Sequence, residues 1–399
     1  MKILMLSPFS PYPPNSGGRI RQWELISYFG KRHNLTVVYN AFTEEEYRMQ
    51  KSIESCCNQV IAVRHPQKHD YTDLQELPWP VRTFKTTEMI KTLQEIKSTN
   101  FDAAIIDFIF MSHYHDLLPF CTVLHEHNIE SSIFRQYADI PNVAEEKIFG
   151  LRKDRAFWKA TWMLMVQFEN KMWRLFPMRI TVSEKDRQEM DKRCPYGRTI
   201  VIENGVNTET IDLIPAGKSR KILFMGTMDY YPNTDGAMYL VKSIMPFIWR
   251  KDPGISLCIA GRQPPKSIMM LAKDFRVEVV ANPESMREVA SKCCLTVVPL
   301  RLGGGTRLKI LDSFAMGLPV VSTSLGCEGL SLTDGRHILI RDDAESFADA
   351  VLQVIDDTFL SNTLRENGRR LAEERYDWGM IFAHMEKELL QLVEKDRFL

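Results

Sequence analysis

Gly303-Gly304-Gly305-Thr306-Arg307-Leu308-Lys309-Ile310-Leu311-Asp312 follows the apolar run Leu295-Thr296-Val297-Val298-Pro299-Leu300 and leads into Ala315-Met316-Gly317-Leu318-Pro319-Val320-Val321-Ser322-Thr323. The order reads as strand, glycine loop, helix, strand. Glycines let backbone approach a ligand without Cβ clashes. The first N–H groups of a helix are unpaired and lie at the positive end of its dipole, which suits phosphate. On this reading Gly304, Gly305 and Thr306 open a helix running to Met316. Arg307 and Lys309 add positive charge, and Asp312 accepts hydrogen bonds from ribose hydroxyls. Such a set suits a nucleoside diphosphate.

Outward from this stretch, apolar strand-like runs alternate with helical patterns to both ends of the chain. That alternation predicts an α/β fold of parallel sheets with helices on both faces. Strands are expected near Lys2–Ser7, Leu35–Tyr39, Val60–Val63, Ala103–Asp107, Thr122–His125, Arg179–Val182 and Ile200–Glu203. A second set is expected near Lys221–Gly226, Ser256–Gly261, Val277–Val280, Leu295–Leu300, Pro319–Thr323 and Ile338–Ile340. Long helices are expected over Arg19–Lys31, from about Val143 to Leu175, and over Thr234–Trp249. The polar segment Thr210–Arg220, with Pro215, Gly217 and Ser219, reads as a linker. The expected domains are 1–209, 210–375 and a final helix, 376–399, that crosses back to the first. Two doubly wound domains so joined form a cleft, and ligands bind at the carboxyl ends of their strands.

The 399 residues carry 51 Lys+Arg and 51 Asp+Glu, a balance that argues against general nucleic-acid binding. The eight cysteines form no CxxC, so they read as reduced thiols. No signal-peptide pattern opens the chain, and no apolar run reaches the ~20 residues a bilayer span needs. A cytoplasmic protein, in peripheral contact with the inner face of a membrane at most, is expected. The aromatic and Met-rich segment Phe157–Trp173 reads as core packing, with membrane contact as the alternative.

Three further places are candidates for chemistry. The proline-stiffened loop after the first strand ends in Gly17-Gly18, with Arg19 and Arg21 just inside a helix; it reads as a loop over phosphate or sugar. His125, His127, Asn128 and Glu130 cluster at a strand's carboxyl end, where an imidazole or amide can touch a sugar; a metal lacks a third ligand cluster. Gly226 follows the first strand of the second set, and Asn233 or Thr234 would cap the next helix while its N-terminus approaches a diphosphate. Glu203-Asn204-Gly205 reads as a tight turn.

In this order the motifs resemble those of GT-B glycosyltransferases, similar to the retaining family 4 group, over nearly the whole chain. The Gly17-Gly18 loop, Val182-Ser183-Glu184, Glu203-Asn204-Gly205-Val206-Asn207, the Gly317-Leu318-Pro319-Val320-Val321 turn and Tyr376-Asp377-Trp378 carry the resemblance. Two departures stand out. Gly304 takes the place of the first of two glutamates, of which Asp312 matches the second. A Gly-x-x-x-Lys pattern is absent after Gly226. The resemblance implies two Rossmann-like domains and transfer of a sugar, with retention and without metal or cofactor, from a nucleotide sugar to a glycan or lipid-linked acceptor. Surface glycan, capsule or lipopolysaccharide assembly is the implied setting. It implies Arg307, Lys309 and His125 or His127 as catalytic. Gly17, Gly18, Gly226, Asn233, Gly304, Gly305, Thr306 and Asp312 fall on the donor, and Arg19, Asn128 and Glu130 on the acceptor side. A nucleotide-sugar epimerase of the same architecture and a non-catalytic sugar-nucleotide-binding protein are the alternatives.

Overall fold

The computed structural model describes residues 1–66, 76–141, 143, 148, 151–215 and 219–396. Its strands form two sheets. The first holds β1 (Lys2–Ser7), β2 (Asn34–Ala41), β3 (Gln59–Arg64), β4 (Ala103–Asp107), β5 (Cys121–His125), β6 (Met178–Thr181) and β7 (Arg198–Val201) in the order β3-β2-β1-β4-β5-β6-β7. The second holds β8 (Lys221–Met225), β9 (Ser256–Gly261), β10 (Val277–Ala281), β11 (Leu295–Val298), β12 (Val320–Ser322) and β13 (Leu339–Ile340) in the order β10-β9-β8-β11-β12-β13. Every pairing is parallel. Helices cover both faces of such a sheet, so its strands are apolar throughout rather than alternating. Ile3, Leu4, Met5 and Leu6 of β1 are all fully buried, as are Ile222, Leu223 and Phe224 of β8.

The chain divides into two compact units. One comprises 1–143, 154–203 and 379–399, and the other 144–153 and 204–378. In each sheet the strand order reverses beside the first strand, between β1 and β4 and between β8 and β11. Crossovers leave these two places in opposite directions, which opens a crevice at the carboxyl edge.

Several elements differ from the sequence reading. The described part of the expected linker packs inside the second unit: Ile214 is buried, its N–H donates to Met316 O at 2.9 Å, and Arg365 donates to its carbonyl at 2.7 Å. Gly217 lies outside the described residues. The long aromatic helix spans Arg155–Met172, because Asp154 caps it by accepting from Phe157 N. The expected segment from Val143 lies partly outside the described residues; within it Ile148 and Leu151 pair in an antiparallel bridge. This helix buries Trp158, Met165 and Phe168 and exposes Met163, so its aromatic face is core. The helix expected over Thr234–Trp249 begins at Tyr231 and widens into a π turn over Leu240–Ile244. Pro246 follows and has no N–H to continue the regular ladder. The helix expected to open at Thr306 begins at Leu308.

Candidate functional site

In the second unit, the loop after β8 and the loop after β11 meet at the reversal point. Gly226 ends β8's run, and a Cβ there would lie 2.8 Å from Asn233 Nδ2 and 2.9 Å from Lys309 Nζ. Only glycine lets the two side chains come so close to the backbone. Lys309 donates to Asn233 Oδ1 at 2.7 Å, and Asn233 Nδ2 donates to Thr227 O at 2.9 Å. Asn233 lies inside the Tyr231–Tyr239 helix, and Thr234 donates its hydroxyl to Met228 O, so neither is the expected cap. Both instead tie the helix to the loop after β8.

Burial and the neighbouring Arg307 charge lower Lys309 to about 7. Asp312, one turn further along the Leu308–Met316 helix, shares its face. Burial raises Asp312 to about 7, and its carboxylate has no hydrogen-bond or ion-pair partner among the described residues. A cation and an unpartnered carboxylate thus stand together, each held off its ordinary titration range by lost hydration.

One expectation for the glycine loop is corrected. Gly304, Gly305 and Thr306 do not open the helix; they form an irregular loop whose helix starts two residues later, with Arg307 as its boundary. Arg307 is 9% exposed and turns back on that loop, donating to Gly304 O and, at 3.2 Å, to Gly305 O. Its guanidinium shapes the loop, and Lys309 is the cation beside Gly226. Thr306 is held by Asn204, whose Nδ2 donates to Thr306 Oγ1 at 2.5 Å. The Asn-Gly turn therefore supplies a side chain to this site. Neither residue's spacing in the chain announces the contact.

In the first unit, a buried polar network fills the carboxyl ends of β4 and β5. Asp107, the last residue of β4, lies 2.7 Å from His125 Nδ1 and 2.8 Å from His127 Nε2 through one oxygen. Its other oxygen accepts from Gln22 Nε2 at 2.6 Å, and Gln22 also donates to Ser7 Oγ at 2.8 Å. Arg21 donates from Nε to His125 Nε2 at 2.8 Å, from Nη1 to Glu203 O and from Nη2 to Ile202 O, both at 2.7 Å. A guanidinium only donates, so His125 Nε2 is the acceptor and the ring is neutral with its proton on Nδ1, toward Asp107. Burial, reinforced by Arg21, lowers His125 to about 3. Burial alone would raise Asp107, but the two histidines hold it below the usual carboxylate range. Burial lowers even Arg21, to about 9.

This arrangement separates the two histidines. His125 is fully buried with both ring nitrogens engaged, so it is a supporting group rather than a sugar contact. His127 is 8% exposed, and its Nδ1 faces Gly18, where a Cβ would lie 3.9 Å away. Gly17 and Gly18 are the first residues of the Gly17–Gly30 helix, whose boundary residue Ser16 makes no side-chain cap. Asp107 is the third ligand-type group near the two histidines that the sequence reading found lacking. Hydrogen bonds to Gln22 and the Arg21 charge already balance it.

The remaining candidates lie nearby. Arg19 is ion-paired with Glu46 at 2.6 Å. Asn128 donates to Glu130 Oε1 at 3.1 Å, and burial raises Glu130 to about 8. Sequence reasoning missed Asp107, Gln22 and the burial of Arg21. A carboxylate closing the apolar run Ala103-Ala104-Ile105-Ile106 was the available signal for the first.

Solved structures share this architecture over the full chain. Sucrose-phosphate synthase of Thermosynechococcus elongatus is 14% identical with a TM-score of 0.75, covering 99% of this chain and 100% of that one. Alr3699/HepE of Anabaena, in complex with UDP, is 13% identical with a TM-score of 0.70, covering 98% and 100%. The fold is GT-B. Within this GT-B chain, residues 219–357 match the model of the family described as glycosyl transferases group 1. That segment contains Gly226, Asn233, the glycine loop, Lys309 and Asp312. A Klebsiella pneumoniae protein described as an uncharacterized 44.6 kDa protein in the cps region is 22% identical over 401 residues, 97% of this chain and 99% of that one. These matches show the GT-B fold for the chain and a likeness to glycosyl transferases group 1 over residues 219–357. Among the described residues no helix is long and apolar enough to cross a membrane.

Proposed function

We propose that this protein is a retaining, metal-independent glycosyltransferase, akin to family 4, that moves a sugar from a nucleoside diphosphate to an acceptor hydroxyl in surface-glycan or capsule assembly. The observation that carries the reading is the Gly226–Asn233–Lys309 cradle with the unpartnered Asp312 one turn away. The cradle suits a diphosphate and Asp312 the ribose hydroxyls. In the reaction the bond from the anomeric carbon to the phosphate oxygen breaks. A bond from the acceptor oxygen to the same carbon forms on the same face, and the acceptor proton passes to the departing oxygen. Charge grows on the diphosphate as its bond breaks. Lys309 and the amides of Gly304, Gly305 and Thr306 offset that charge in a preorganised way. In the first unit, His127, steered by Asp107 and facing Gly18 at the start of the Gly17–Gly30 helix, is the group suited to a sugar hydroxyl. The genomic setting of the Klebsiella relative supports a capsule role, and the UDP in the Anabaena structure makes UDP the first donor base to test. We place the enzyme on the cytoplasmic side of the membrane, where nucleotide sugars are made.

The test is a thermal-shift screen of UDP, GDP, ADP and dTDP and their sugars on the wild type and Lys309→Ala, followed by NMR of the product's anomeric configuration. A ligand at 100 times its dissociation constant stabilises by about 2.7 kcal/mol. A shift present in the wild type and absent in Lys309→Ala is expected. Equal shifts in both proteins would remove Lys309 from the donor site, and an inverted product would remove retention.

A further inference from the structure

Four neighbouring strands of the first sheet each hand a ring to its carboxyl edge. His65 follows β3, Phe42 follows β2, Phe9 stands two residues after β1, and Phe108 follows β4. The rings touch in turn. His65 stacks on Phe42 at 4.3 Å between centroids, and Phe42 reaches Phe110 through Phe84 at 5.9 and 5.6 Å. Phe110 lies 6.1 Å from Phe108, Phe9 lies 5.4 Å from Phe108, and Phe108 stacks on His127 at 3.8 Å. Phe108 is 7% exposed, whereas His65, Phe42, Phe9 and Phe110 keep part of their surface open. Strand spacing sets the length of the row at roughly 15–20 Å.

Phe108 holds φ 64°, a value that non-glycine residues rarely adopt. Such strain persists where the surroundings impose it, and here it brings the ring against His127. A polar rim borders the row. Glu46 accepts from Arg19 at 2.6 Å and from the backbone N–H of Phe42 at 2.9 Å, and Arg19 sits 5.7 Å from the Phe9 ring centre.

We infer that this aromatic row is the acceptor subsite and that the acceptor is a saccharide of more than one residue. The inference rests on the proposed transferase reading. Apolar and aromatic walls with a few placed polar groups are the usual make-up of a small-molecule site. The C–H faces of sugar rings pack on aromatic faces, that of His65 included, whose ring nitrogens are held by Pro66 O and Thr83 O, while their hydroxyls meet the Arg19–Glu46 pair and His127. The row ends at His127, so a saccharide lying along it presents its terminal hydroxyl to that imidazole. A prenyl or acyl chain gains nothing from the Arg19–Glu46 pair or the His127 imidazole.

The experiment is saturation-transfer NMR on the full chain with UDP present. The probes are gluco- and galacto-oligosaccharides of one to four residues and hexyl glucoside. Sugar-ring signals that grow with chain length, weaken about tenfold in affinity in Phe42→Ala and return in Phe42→Trp are expected. Circular dichroism and an unshifted melting transition of the first unit check that Phe42→Ala is folded. Signals on the hexyl chain without ring signals, no ring signal while UDP still gives one, or equal affinity in Phe42→Ala would each overturn the saccharide subsite. Loss of the UDP signal itself would instead strike the donor reading, because UDP is the probe of the other unit's site.

Discussion

At the residue scale the second unit's site holds two groups whose titration burial has moved toward neutrality from opposite sides. Lys309 falls from 10.5 to about 7, so it is charged below pH 7 and neutral above it. A diphosphate favours the charged form. Above pH 7 binding must therefore take up a proton, and UDP affinity should fall by up to tenfold per pH unit until the pKa in the complex is reached. Calorimetry in buffers of different ionisation enthalpy near pH 8 measures that uptake; no uptake would mean Lys309 does not meet the phosphates. Stability gives a second reading. The unfolded chain keeps the Lys309 proton up to pH 10.5 while the folded chain releases it near 7, so Lys309's contribution improves as pH rises between these values and is a penalty below pH 7. Asp312 rises from 3.8 to about 7, so its contribution worsens over that interval and is a penalty above pH 7. Lys309→Met should raise the ligand-free melting temperature by about 2–4 °C, most at low pH. Asp312→Asn should raise it most at high pH. Both variants should lose the donor shift.

In the first unit, Asp107 is the negative member of a buried set whose positive member is Arg21. Removing one charge of such a set strands the other, at a cost of about 3–5 kcal/mol. Asp107→Asn should therefore unfold at much lower urea than His127→Ala. The latter should stay near wild-type stability and lose turnover instead. Equal denaturation midpoints for the two would show that the charges are not coupled.

At the element scale, close approach decides more than propensity does. An alanine at Gly226 would place its Cβ 2.8 Å from the Asn233 amide, so the Lys309–Asn233 pair must move. Gly226→Ala should keep the fold by circular dichroism and weaken UDP binding by at least tenfold, about 1.4 kcal/mol. Gly317 ends the Leu308–Met316 helix at φ 71°, and a Cβ there would also lie 2.8 Å from Leu213. Gly317→Ala should cost about 1 kcal/mol or more in chemical denaturation, through backbone strain rather than lost binding.

At the scale of the whole molecule, the last helix returns to the unit that the chain began. Trp378–Asp396 buries Phe382, Met385 and Leu389, and its Glu386 accepts from Tyr28 at 2.9 Å and lies 2.7 Å from His33. Residues 379–399 belong to the first compact unit. Deleting them should lower the melting transition of that unit, while UDP still raises the transition of the other. Calorimetry separates the two; a single transition that UDP leaves unmoved would contradict this picture.

The amino-acid sequence by itself determined the two sheets, because doubly covered parallel strands must be apolar along their whole length, and runs such as Ile3–Leu6 and Ile222–Phe224 have no other stable place. It also marked the strand ends where glycine is needed, since only glycine admits the approach seen at Gly226. Tertiary structure decided which side chains meet there. Arg307 and Lys309 are two residues apart and look alike in sequence, yet one folds onto its own loop and the other reaches Asn233, 76 positions away. His125 and His127 both meet Asp107, but the Arg21 guanidinium, 104 positions from His125, takes up one ring and leaves the other to face Gly18. Strand patterning is a local balance of hydration. The choice between two like residues rests on contacts that exist only after distant strands lie side by side.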